Sequence, residues 1–238
     1  MKTFKIHIKE SIFDDVEDIV NDDTALIEQF LKDNYKIDGT YEIHGSYNIA
    51  DNVVDVKGDV NVKNEKIESL TRGLFRFGTV TGHFICTYCP KLISLEGAPK
   101  EVSRDFKCNS CPGLVSLKGA PKEVGWDFYC NDCPNLKSLE GAPKEVGGDF
   151  YCNKCTNLKS LEGAPKEVSG DFYCNNCTGL TTLEGGPKEV NGDFWCTKCS
   201  SLISLKGAPK EVGGSFWCSG CRKLKITDQD RKKYIIES

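Results

Sequence analysis

Histidine is nearly missing from this chain. Only His7, His44 and His83 occur among 238 residues, which removes the commonest general base and metal ligand from most of the molecule. There is also no H-E-x-x-H, no G-x-S-x-G and no glycine-rich phosphate loop, so no catalytic constellation is in view. The expectation is a protein that is not an enzyme. No apolar run approaches the ~20 residues of a membrane helix, and the opening MKTFKIHIKESIFDD lacks the apolar centre of a secretory signal. A cytoplasmic protein with no membrane contact is expected. Charge of either sign is balanced, 31 basic against 35 acidic residues for a net −4, which gives no general pull toward nucleic acid.

Cysteine is abundant instead, at 14 residues, and it keeps time. Cys86, Cys108, Cys130, Cys152, Cys174, Cys196 and Cys218 each open a Cys-x-x-Cys, at a strict 22-residue step. Pro99, Pro121, Pro143, Pro165, Pro187 and Pro209 recur at the same interval. A fixed step of this length predicts a solenoid, one short coil stacked on the next. Each coil repeats Val, Phe, Cys, Cys, Leu, Leu, for example Val146, Phe150, Cys152, Cys155, Leu158 and Leu161. Phe150 and Cys152 alternate along a short strand and face the axis; Cys155 sits at the bend, and the leucines turn inward on the next side. Gly141, Pro143 and Gly147–Gly148 permit the remaining bends.

Ahead of the full coils, TFKIHI at Thr3–Ile8 reads as a strand, and Ser11–Val20 and Thr24–Tyr35 read as helices. From Tyr41, YEIHGSYNI and VVDVKGDVNV alternate like strands, with Gly45 and Gly58 as bends. Val60, Val62, Ile67 and Leu70 resemble a degenerate first coil. The expected organisation is an α/β capping unit at 1–52, a mainly β solenoid at 53–224, and a C-terminal cap at 225–238. Thr227–Glu237 is predicted to be a helix opened by Thr227 and Asp230 as a capping box, with Tyr234 and Ile235 over the last coil.

The spacing F-x-C-x-x-C-x-x-L-x-x-L resembles a cysteine-containing leucine-rich repeat. The wording SLEGAPKEVGGDF at Ser138–Phe150, its copy at Ser160–Phe172, and the opening VVDVKGDVNVKNEKIESL are similar to repeat proteins of T-even-like bacteriophages and some bacteria. The resemblance covers Val53 to Leu224. It implies a leucine-rich-repeat-like stack and a phage or bacterial origin, with no reaction attached. Those relatives usually carry Asn where this chain has Cys89, Cys111, Cys133, Cys155, Cys177, Cys199 and Cys221.

The cysteine spacing also falls in the window of zinc ribbons. Four thiolates on one zinc need sulfurs under ~4 Å apart, whereas stacked strands repeat at ~4.8 Å. Two columns of small buried thiols are therefore expected, with no cofactor. Zinc binding or a redox response through Cys86, Cys89, Cys108, Cys111, Cys130, Cys133, Cys152, Cys155, Cys174, Cys177, Cys196, Cys199, Cys218 and Cys221 is the alternative.

Residues between the inward ones face out. They form an aromatic column of Tyr129, Tyr151, Tyr173, Trp195 and Trp217, flanked by an aspartate column of Asp127, Asp149, Asp171 and Asp193 and by Asn131, Asn153 and Asn175. Like-charged carboxylates at strand spacing repel within the ~8 Å Debye length, unless each caps a backbone N–H at the Gly-Gly bend. Read functionally, this strip binds a basic or amine-bearing protein partner, with aromatic anchors; sugar stacking or calcium are further readings. The Lys-Glu columns, such as Lys122, Glu123, Lys144 and Glu145, are expected to be solvated and mutually paired. The function expected is a protein-interaction module, acting on a host defence or regulatory protein in the host cytoplasm if phage-encoded. A structural virion component is the third alternative.

Overall fold

The computed structural model describes residues 41–50, 53–62, 66–71, 76–234 and 236–237. The strand expected at Thr3–Ile8 and the helices expected at Ser11–Val20 and Thr24–Tyr35 lie outside the described residues.

The chain from Val53 is a parallel β-solenoid of about 7 turns with a ~22-residue repeat, compatible with a leucine-rich-repeat-like fold. Each coil contributes two short strands, and each strand stacks on its counterpart 22 residues away. One ladder runs through β4 (Phe84–Ile85), β6 (Phe106–Lys107), β8 (Phe128–Tyr129), β10 (Phe150–Tyr151), β12 (Phe172–Tyr173), β14 (Phe194–Trp195) and β16 (Phe216–Trp217). The other runs through β3 (Arg76–Val80), β5 (Glu101–Val102), β7 (Glu123–Val124), β9 (Glu145–Val146), β11 (Glu167–Val168), β13 (Glu189–Val190) and β15 (Glu211–Val212).

The stack starts from a hairpin. β1 (Tyr41–Ala50) pairs antiparallel along its whole length with β2 (Val53–Val62). The first half of β2 then pairs with β3 and its second half with β4, so one long strand seeds both ladders. It turns the corner at Gly58, which faces Gly45 across the hairpin with φ of 140° and 143°. A Cβ on Gly45 would sit 2.0 Å from the Lys57 carbonyl oxygen, so the close pairing requires glycine at both positions. Val60 pairs with Phe84, and Val60, Val62, Ile67 and Leu70 are all buried, as the degenerate first coil predicts.

The core is a set of columns along the axis. Val146, Phe150, Cys152, Cys155, Leu158 and Leu161 are each at most 1 % exposed, and the neighbouring coils repeat the pattern. The phenylalanines from Phe84 to Phe216 stack ring on ring, 4.8–5.4 Å apart. Both ends of the stack are closed by a turned ring. Phe77 meets Phe84 edge-on at 72°, and Tyr234 tilts against Phe216 at 37°.

The C-terminal cap is shorter in helix than predicted. Thr227 caps α1 (Asp228–Lys233), and the capping box with Asp230 is formed. The helix stops at Tyr234, whose backbone is extended and whose hydroxyl donates to the Pro209 carbonyl at 2.6 Å. The chain then adds β17 (Ile236–Glu237) to β16, so a strand completes the ladder where the sequence pattern suggested continued helix. Ile235 lies outside the described residues.

Candidate interaction face and thiol columns

The strand Phe-aromatic alternates burial, which sends Tyr129, Tyr151, Tyr173, Trp195 and Trp217 to the outer face of one ladder. They are half-buried rather than freely exposed, because each ring lies flat on the next. Tyr129–Tyr151, Tyr151–Tyr173 and Trp195–Trp217 stack at 4.5, 4.7 and 4.5 Å, and Tyr173–Trp195 at 5.9 Å. Lys107 ends the column at its first coil. Its Nζ lies 5.0 Å from the Tyr129 ring centre and 3.1 Å from Asp105.

The aspartates do cap backbone N–H groups, but those of the next coil. Oδ1 of Asp127, Asp149, Asp171 and Asp193 accepts from the backbone N–H of Asp149, Asp171, Asp193 and Ser215 at 2.7–2.8 Å. The second oxygen serves the aromatic column. The hydroxyls of Tyr129, Tyr151 and Tyr173 donate to Oδ2 of Asp127, Asp149 and Asp171 at 2.8, 2.7 and 2.6 Å. Burial, and then the adjacent carboxylate, push these three phenols above their ordinary range. Each carboxylate is thus spent on two hydrogen bonds, which offsets the repulsion along the column.

The residue before each aspartate decides how well this works. A Cβ on Gly148, Gly170, Gly192 or Gly214 would lie 2.0–2.2 Å from the preceding coil's Asp Oδ1. Glycine there lets the carboxylate approach. Where the chain carries Trp126 instead, the equivalent bond lengthens to 3.2 Å (Asp127 N–H to Asp105); one coil earlier, where Arg104 stands, the acceptor is His83 Nδ1 rather than a carboxylate, at 3.3 Å. Arg104 in turn lies 5.2 Å over the Trp126 ring.

The two indoles break the tyrosine pattern. Trp217 reaches back one coil, donating from Nε1 to Asp193 Oδ2 at 3.1 Å. The matching acceptor for Trp195 would be Asp171, whose Oδ2 already holds Tyr173, and the Trp195 Nε1 is buried without a partner. On the other flank, Asn153 Oδ1 accepts from Asn175 N–H, and Asn175 Oδ1 from Thr197 N–H, both at 2.8 Å.

The lysine–glutamate expectation needs correction. Glu101, Glu123, Glu145, Glu167, Glu189 and Glu211 stand in register on the second ladder, exposed and without ion pairs to the neighbouring lysine column. Nearby ion pairs use other positions: Lys118–Glu140, Lys154–Asp132 and Lys206–Glu184. The strand pairing aligns glutamate with glutamate, which holds the two signs in separate rows.

The thiols lie where the sequence places them. All fourteen are free, and all but Cys221 are buried. Among the described residues no three His, Cys, Asp or Glu side chains gather in a group that could hold a metal ion. The second cysteine of each pair has a definite partner. Cys111, Cys133, Cys155, Cys177, Cys199 and Cys221 donate to the backbone carbonyls of Cys86, Cys108, Cys130, Cys152, Cys174 and Cys196, at 3.0–3.4 Å. The thiol therefore satisfies a carbonyl at the end of the preceding strand. Replacing Cys155 by Ala leaves the Cys130 carbonyl without its donor, and we expect a loss of roughly 1–3 kcal/mol. Cys155→Ser keeps an O–H donor and loses less. Urea unfolding midpoints compare the two; equal losses would make the sulfur mere filler.

Among the described residues no helix is long and apolar enough to cross a membrane. No family model matches the chain, and neither the curated proteins nor the solved structures gave a match.

Proposed function

We propose that this chain is a non-enzymatic protein-interaction module that binds its partner along the aromatic–aspartate face. The observation that carries this reading is the unbroken stack of Tyr129, Tyr151, Tyr173, Trp195 and Trp217, half open to solvent along one side. Rings already fixed by stacking and by their aspartates lose little freedom on binding, which favours them as anchors. The aspartate column runs beside the rings along the whole strip, so a partner with basic side chains matches the face. The resemblance of the repeat wording to phage repeat proteins favours a host regulatory or defence protein as that partner. Neither a cofactor nor a nucleic acid is part of this reading.

The test is a pull-down from host lysate with the wild type and with Tyr151, Tyr173 and Trp195 all changed to Ala. Capture of the wild-type partner should fall more than about tenfold, as loss of central aromatic anchors does elsewhere. A second variant, Lys122, Lys144 and Lys166 to Ala on the other ladder, should capture normally. Circular dichroism confirms that each variant keeps its solenoid. Undiminished capture by a folded triple variant removes the face from the account.

A further inference from the structure

Thirteen of the fourteen thiols are sealed in the core, and Cys221 is the exception. The cause is its place in the stack. β17 covers β16 only at Phe216 and Trp217, so no described coil lies over the turn that carries Cys221. Arg222 and Lys223 follow it directly in the chain and are exposed. Partial exposure beside basic residues is the setting in which a cysteine becomes reactive.

A second thiol lies in reach. Cys199 occupies the equivalent place one coil earlier, and the two turns are held together by the Lys198 N–H to Ser219 carbonyl bond at 2.7 Å. Stacked strands at ~4.8 Å fall within the Cα range that a disulfide spans. As a thiol, Cys221 donates to the Cys196 carbonyl. As a thiolate, it accepts from the thiols of Cys196 and then Cys199, which hold it below the ordinary cysteine range. The same pair in the middle of the stack lacks the opening, so the arrangement is complete only at this end.

We infer that Cys221 is a peroxide-reactive thiol and that Cys199 is its resolving partner. The Cys221 thiolate attacks one oxygen of hydrogen peroxide. The O–O bond breaks, giving a Cys221 sulfenic acid and hydroxide, which takes up a proton to become water. The Cys199 sulfur then attacks the sulfenic sulfur, forming the S–S bond and expelling a second water. Two thiols are oxidised and one peroxide is reduced. The product staples the last full turn to its neighbour. This inference is independent of the aromatic face.

The experiment treats the reduced full-length chain with hydrogen peroxide, counts remaining thiols, and maps disulfides by mass spectrometry. The expected result is loss of two thiols per chain, recovered as a Cys199–Cys221 linked peptide. Cys221→Ser should lose thiols at least roughly tenfold more slowly. Cys199→Ser, which keeps a donor for the Cys174 carbonyl, should accumulate a sulfenic acid at Cys221 that dimedone traps. Cys218→Ser should behave as wild type. No thiol loss from folded wild type, equal loss in Cys221→Ser, or a disulfide elsewhere each overturns the inference.

Discussion

Raising the pH above about 9 should unfold this protein over a narrow pH range, because its core is built from thiols. Burial pushes the thiols of Cys86, Cys108, Cys130, Cys152, Cys155 and Cys177 up from their ordinary value. In the unfolded chain a cysteine ionises near 8.5. Below that pH both states hold the proton, and the thiols' contribution to stability is fully present. Above it the unfolded chain releases protons that the folded core retains, and stability falls until the folded value is reached. Each such thiol costs about 1.4 kcal/mol per pH unit. Six together cost roughly 8 kcal/mol per unit, comparable with the whole stability of an ordinary domain.

Far-ultraviolet circular dichroism and thiolate absorbance, followed together across this range, check the expectation. Most of the thiolate signal should appear with the loss of structure, not ahead of it. Cys221, which is open and shifted the other way, should titrate separately at lower pH. Thiolate absorbance developing for most of the cysteines near their ordinary value, with the dichroism unchanged, would show that the columns are not sealed.

Side-chain direction was readable because two constraints coincide in each coil. Phe150 and Cys152 alternate along a strand, and the same spacing returns after 22 residues, so each inward position has an inward neighbour in the next coil. The Thr227–Asp230 cap was readable because it is local. Interactions between coils were harder to read. The aspartate column was expected to cap the glycine bend, but the N–H it takes belongs to the aspartate 22 residues on. Nothing within one coil distinguishes those donors.

The turn between the two cysteines was missed for a different reason. Tyr88, Ser110, Asp132, Lys154, Asn176 and Lys198 all adopt φ of 55–60°. Only asparagine and aspartate among them signal that conformation. The stack imposes it: the N–H of Lys154, for instance, donates to the Asn175 carbonyl at 2.8 Å, and the turn brings Cys155 back toward the axis. The glutamate column was hidden too, since Lys-Glu-Val reads as charge pairing until strand register aligns Glu145 with Glu123 and Glu167.

Truncating one ring in the middle of the phenylalanine stack should cost more than truncating one at its end. Phe150 is fully buried, with Phe128 at 5.2 Å on one side and Phe172 at 5.1 Å on the other. Phe150→Ala removes both contacts and opens a cavity. The coils cannot close over it, because the Phe128 and Phe150 N–H groups fix their spacing through bonds of 2.9 Å to the next coil. The expected loss is about 3–5 kcal/mol. Phe216 has one stacked neighbour and one tilted ring, Tyr234, carried on the short C-terminal cap. That cap can move inward, so Phe216→Ala should cost less. Denaturant unfolding gives the two losses, and hydrogen exchange locates them. In a stack where each coil touches only its neighbours, Phe150→Ala should open amides in the coils around Cys130 and Cys174 first. Equal losses for the two variants, or exchange that rises evenly from end to end, would mean that the stack unfolds as one body rather than coil by coil.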